Sequence, residues 1–255
     1  MRALKNNIVY IFLLIGIVVS SQEIEKEKAV FKDIYGFRFG IDLSNPIRTA
    51  FDSDRKSIEL VADYRINKKI YAAVELGFLN KNTKEDYIDF NTNGQYIKLG
   101  ANYNLYSNWL DMENEVYIGL RYGFSTFKQT VNSYTVFSDI ALPLSQNTTP
   151  IEYSELTANW GELVFGMKVE VYENIFLGAS FSFKSMISDK EPDNFKNLYV
   201  PGFDRVFLNN GGFGFNYTIS YRLPLYKKDK VKNVEKSDNL IEEKKEGEKE
   251  ENEIK

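Results

Sequence analysis

The chain has 255 residues and a formal net charge of −4, with no cysteine and no histidine. These values exclude a disulfide framework, a thiolate nucleophile, a cysteine or histidine metal site, and any mechanism that needs imidazole as its base. The mildly acidic balance offers no basic face for nucleic acid, and 17 Tyr and 19 Phe point to strands rather than helices.

Arg2 and Lys5 precede an apolar run from Ile8 to Val19, and Val19-Ser20-Ser21 supplies small residues before Gln22. This is the pattern of a signal peptide over residues 1–21, too short for the roughly 20 apolar residues of a spanning helix. Residues 22–33 read as a disordered charged leader.

From residue 34 the chain alternates with the period of two that places strand side chains on opposite faces. Eight strands are expected: 34–43, 57–66, 70–79, 95–106, 113–127, 158–171, 175–185 and 211–226. The last is the clearest. Phe213, Phe215, Tyr217, Ile219, Tyr221 and Leu223 share one face, and Gly214, Asn216, Thr218, Ser220 and Arg222 share the other. Tyr35, Phe37, Phe39, Ile41 and Leu43 form the apolar face of the first. Residues 44–56, 80–94, 128–157 and 187–210 read as loops. Within 128–157, the β-favouring start either prolongs the fifth strand or opens a hairpin, so a ten-strand count stays open.

Alternation alone does not say which face is inside. Some 40 bulky apolar side chains would overfill an eight-stranded barrel, whose bore is just wide enough for side chains. Glycines 36, 40, 77, 100, 119, 123, 166, 178 and 214 all fall on the other face, as a narrow lumen requires. The expectation is therefore an all-β protein: an eight-stranded antiparallel up-and-down transmembrane β-barrel, residues 34–226, with long external loops. Residues 227–255, dense in Lys and Glu, read as a charged, disordered periplasmic tail.

This orientation turns seven cations inward (Arg38, Arg65, Lys98, Arg121, Lys168, Lys184, Arg222) and seven carboxylates with them (Asp42, Glu59, Asp63, Glu75, Glu115, Glu162, Glu170). Balanced charge reads as a salt-bridged plug, with a narrow ion path as the alternative. Tyr106, Trp109, Trp160, Tyr172 and Tyr226, near strand ends, are expected in interfacial girdles. Asp52 with Asp54, and Asp189, Glu191 and Asp193, are carboxylate groups that could in principle serve acid–base chemistry or calcium, but their spacing fits no known calcium loop. The Asn147-Thr148-Thr149 sequon reads as accidental.

The segments GIDLSNPIR (40–48), QYIKLGANYN (95–104), GLRYGFSTF (119–127), ISDKEPDNF (187–195), NLYVPGFDRV (197–206) and FGFNYTISYRLPLY (213–226) resemble a domain-of-unknown-function family (6048) of outer-membrane barrels from Bacteroidetes. The resemblance implies fold and compartment, and it carries no site residues. The expected function is a non-enzymatic outer-membrane protein of a Gram-negative envelope, structural or surface-contacting, with no cofactor. Its partners are outer-membrane lipid and a surface or periplasmic protein. A narrow pore and a histidine-free lipid-modifying enzyme are the alternatives.

Overall fold

The computed structural model describes residues 32–106, 113–136, 145–192, 195–207 and 209–229. The signal sequence, most of the leader, Trp109, Asp193 and the tail beyond Asp229 lie outside the described residues. The strands are β1 (Lys32–Asp42), β2 (Arg55–Arg65), β3 (Ile70–Glu85), β4 (Ile88–Asn104), β5 (Glu115–Val136), β6 (Ser145–Asn147), β7 (Ile151–Tyr172), β8 (Ile175–Asp189), β9 (Tyr199–Val200), β10 (Asp204–Arg205) and β11 (Gly211–Asp229), with helix α1 at Ser44–Phe51.

Among the described residues, eight of these strands form one antiparallel sheet closed in a ring. Each of β1, β2, β3, β4, β5, β7, β8 and β11 pairs with the next, and β11 returns to β1 from Lys32↔Asp229 to Asp42↔Thr218. Closure leaves the ring without a free edge. The short strand β6 pairs only with the far end of β5, at Tyr134↔Asn147, just before the chain rejoins β5 as β7 at Val131↔Ile151. The strands of the ring thus number eight, not ten.

The outer wall is apolar. Phe37, Phe39, Leu60, Leu76, Phe78, Leu120, Phe165 and Phe215 are each exposed, Leu120 by 66 %. Across β8 and β11, Phe181 lies 4.6 Å from Phe183 and 4.8 Å from Phe215, ring centre to ring centre. The inner face carries charge, glycine and a set of large rings: Tyr71, Tyr96, Tyr117, Trp160 and Phe176 are all buried. Three of these rings lie against cross-strand glycines. A Cβ on Gly77, Gly123 or Gly166 would fall 2.1, 2.2 or 2.5 Å from Tyr96, Trp160 or Tyr117 respectively. Small and large residues therefore share each rung of the bore.

Two ends of the ring differ. At one, Asn67 Oδ1 accepts the amides of Lys69 and Ile70, and Asn174 holds a left-handed backbone (φ 61°) in the β7–β8 turn. At the other, β3, β4, β5 and β7 run well past the apolar wall.

Several expectations change here. Residues 151–157, read as loop, open β7. Residues 80–94 are not a loop: they complete β3 and β4 to a two-residue turn at Asp86-Tyr87, because backbone pairing (Asn82↔Asn91, Glu85↔Ile88) does not need apolar alternation. Residues 44–51 form α1, with Pro46 tolerated in its first turn, where amides have no helical partner. Tyr35 is buried (4 % exposed) rather than outward, since a bulge between Tyr35 and Gly36 resets the face of β1. Trp160 is wholly buried and not interfacial, because it shares the inward phase of Glu162 and lies mid-strand once β7 starts at Ile151.

Replacing Gly123 by Ala should strain the Trp160 seat and cost about 1–3 kcal/mol. Urea unfolding in detergent, followed by Trp160 fluorescence in a Trp109→Phe background, measures it.

Candidate functional site

The inward side chains form a ladder of ion pairs along the bore. Near the turn end, Arg65 donates to Glu113 (2.7 Å), Asp33 (3.3 Å) and the Ile34 carbonyl (3.2 Å), and Arg222 donates to Glu170 (2.9 Å). One level up, Arg38 donates Nε to Asp63 (2.6 Å) and brings Nη1 to 2.5 Å from Glu115, while Lys168 also bonds Asp63. The Arg38 guanidinium lies between the rings of Tyr71 and Phe176, 4.8 and 5.0 Å from their centres. Stacking of this kind keeps a planar cation fixed where solvent is scarce.

Higher still, Lys98 is the junction. Its ammonium donates to Glu59 (3.0 Å) and Glu75 (2.9 Å), and Arg121 donates to Glu75 (3.0 Å) and Asn102 (2.7 Å). Tyr96 and Asn216 complete Glu59 at 2.5 and 2.7 Å. Glu162 accepts from the Trp160 indole (2.7 Å), with Lys98 and Lys184 each 3.9 Å away.

Asp42, expected as an ion partner, anchors backbone instead. It accepts from the Ser44 amide and hydroxyl, the Asn45 and Asn216 side chains and the Tyr217 amide, at 2.7–3.1 Å. One carboxylate thus fixes the start of α1 across the β1–β11 seam.

The mouth is filled by the segment between β8 and β11. Phe203 and Val200 are fully buried against Trp160, Leu156, Phe127 and Met186. Gly202 takes φ +82° and passes so close to Tyr96 and Trp160 that a Cβ would come within 3.0 Å of either ring. Lys184 donates to the Gly202 carbonyl (2.7 Å). On the other side Arg55 donates to Asp204 (3.0 Å) and to the Tyr199 hydroxyl (2.6 Å), Tyr199 donates to Asp204 (3.1 Å), and Arg48 adds a bond at 3.3 Å. Burial alone would raise the Asp204 carboxyl, but Arg55, Lys184 and Arg48 hold it well below the usual carboxylate range. Burial and the Asp204 charge push the Tyr199 phenol above its usual range.

What space remains is small. A cavity of about 20 Å³ sits beneath the mouth beside Asp42, Arg55, Glu59 and Lys98, and one of about 40 Å³ lies lower, beside Asp63, Glu75, Arg121 and Lys168. Each is room for a few waters at most.

Of the aromatics expected at interfaces, Tyr106, Tyr172 and Tyr226 are exposed, and Tyr226 stacks on Tyr35 at 5.1 Å. The loop carboxylates form no centre: Asp52 accepts from Lys81 (2.8 Å), Asp189 from Asn197 (2.7 Å), and no metal-binding cluster occurs among the described residues. Asn147 donates to the Tyr134 hydroxyl. Asp33, Glu113 and Tyr96 belong to the network but were not expected in it, and Asn216, already on the inward face by phase, joins it as a neutral donor. Phase alone could have placed Glu113 and Tyr96, since they alternate in step with Glu115 and Lys98. Nothing periodic marks Asp204, Tyr199 or Arg55.

Lys98→Met leaves Glu59 and Glu75 without their shared cation. It should cost about 3–5 kcal/mol, and adding Glu59→Gln should recover much of it, because Glu75 keeps Arg121 as its partner. Denaturant titration of the three proteins decides this. Because the folded Asp204 value is lowered, its contribution is complete above an ordinary aspartate pKa and fades as pH falls further. The protection of the Val200–Phe203 amides, taken relative to the intrinsic exchange rate at each pH, should stay high from pH 7 to about 5 and fall below about pH 4. With Asp204→Asn it should be lower already at pH 7 and change little with acid.

Among solved structures, the chain is similar to Ail, the attachment invasion locus protein of Yersinia pestis, at 10 % identity and TM-score 0.38, over 74 % of this chain and 97 % of that one. Neisserial surface protein A (NspA) is similar at 14 % identity and TM-score 0.37, over 78 % and 100 %. Likenesses this distant bear on neither partner nor activity. No curated protein matches. The model of a domain of unknown function, DUF6048, matches residues 2–228, and the chain belongs to that family.

Proposed function

We propose that this chain is an integral outer-membrane β-barrel protein without catalytic activity, its lumen closed by ion pairs and its loop end turned outward for envelope structure or surface contact. The observation that carries the reading is the outer wall. Large apolar side chains from all eight ring strands are exposed on it, far beyond the few hundred Å² that a soluble monomer tolerates in one patch. About five outward residues per strand, at a strand rise near 3.3 Å and a typical tilt, make a band on the order of 25 Å tall. In water such a wall would drive aggregation. In lipid it needs no further partner.

The interior supports the same reading. Charges withdrawn from the wall are compensated within the bore, where an unpaired one would be very costly. The apolar stretch at residues 8–19 fits export to that membrane, and the β2–β3 and β7–β8 turns then face the periplasm. Water-sized cavities and the filled mouth favour a plug over a conducting path.

The folded protein in detergent should migrate differently from a boiled sample on a gel, and in planar bilayers it should give no steady current steps. Equal migration would refute the closed barrel. Regular steps lost on Arg121→Gln would refute the plug.

A further inference from the structure

One part of the outer wall is not a smooth apolar surface. Strand register aligns three outward rungs across β2, β3, β4 and β5. The upper rung is Lys56–Asn80–Asn93–Lys128, the next Ile58–Phe78–Gln95–Thr126, and the third Leu60–Leu76–Ile97–Phe124. The lower two rungs line an open groove of about 560 Å³ on the wall, with Gly77 and Tyr96 also at its lining. Ile58, Leu60, Leu76, Phe78 and Phe124 are 39–50 % exposed along it. Directly above, the wall turns polar: two lysines bracket two asparagines. Successive rungs stand about 7 Å apart, and Lys56 and Lys128 start about 14 Å apart across three strand spacings. Two long side chains can close that gap from both sides.

We propose that this groove binds one lipid whose phosphate-bearing headgroup is net anionic, its acyl chain lying along the second and third rungs and its phosphate held between Lys56 and Lys128 over Asn80 and Asn93. The proposal rests on the membrane reading above, which brings lipid to the groove. Charge complementarity selects the headgroup. Lys56 is exposed and makes no ion pair among the described residues. Among the described residues Lys128 pairs only with Glu152, 3.7 Å away with both side chains about half exposed, a contact worth little in solvent and readily exchanged for a phosphate. Asn80 accepts from Asn91 at 2.8 Å, which leaves its own amide group to donate to a headgroup oxygen. The wall across β8 and β11, by contrast, is filled by packed phenylalanines.

The test uses the full chain folded in a non-ionic detergent, titrated with phosphatidylglycerol or phosphatidylcholine and read by native mass spectrometry. The expected result is one phosphatidylglycerol retained in preference to phosphatidylcholine. Lys56→Gln with Lys128→Gln should weaken it about 30-fold, the contribution of two interfacial lysines. Thr126→Trp, which fills the trough, should abolish retention while leaving both lysines in place. Glycerol phosphate, the headgroup without chains, should not compete. Equal retention of the two lipids, unchanged retention in either variant, or displacement by glycerol phosphate would overturn the proposal. Heat-shifted migration and vesicle insertion of each variant report the barrel separately, so loss of lipid with the barrel intact is distinguishable from failure of the membrane reading.

Discussion

Charge compensation inside a bore of fixed width is the constraint on which this molecule rests. Eight strands set the diameter, and side chains must fill it without leaving an ion alone. Lys98 shows how tightly the condition is met: one ammonium serves Glu59 and Glu75, Arg121 shares Glu75, and Tyr96 and Asn216 take the remaining reach of Glu59. Replacing one member changes the balance at three strands, so the network and the ring are specified together. The rings of Tyr71 and Phe176 around Arg38 belong to the same solution, because they fill volume while tolerating a cation. Glycines opposite Tyr96, Tyr117 and Trp160 keep that volume within bounds.

The same network is continued at the mouth by a different device. The ladder ends at Lys184, which holds the backbone at Gly202, and the hairpin β9–β10 then lowers Val200 and Phe203 onto Trp160. Apolar burial seats the segment, and the Arg55–Asp204–Tyr199 cluster fixes its orientation on the β2 side. Asp42 ties the neighbouring helix across the seam between first and last strands. Polar anchors thus surround an apolar seat, and each would be worth little without the other.

Much of this was legible in the sequence, for a physical reason: a closed two-sided sheet writes its faces into every second residue. The phase of Phe213 to Leu223 against Gly214 to Arg222 separates the two faces of the last strand, and the narrow bore of eight strands decides which of them is inside. Phase also settles Trp160, which misleads only if its place near an expected strand end outweighs its step with Glu162. The signal fails where backbone geometry interrupts the alternation, as at the Tyr35–Gly36 bulge. It also fails where pairing continues through polar residues, as in Asn80–Glu85. The mouth was illegible altogether. Asp204 meets Arg55 and Arg48 through a fold-back of some 150 residues, and no local pattern encodes that meeting.

Absence of native cysteine permits a direct test of which face meets lipid. Single substitutions Leu76→Cys, Phe165→Cys and Phe215→Cys, each carrying a nitroxide label, are placed in lipid vesicles and their collision rates with oxygen and with a water-soluble nickel chelate are compared. All three labels should collide freely with oxygen and be shielded from the chelate. Ready access of the chelate to all three would mean that the apolar wall faces water, and the inside-out arrangement of charge and grease described for this barrel would be wrong.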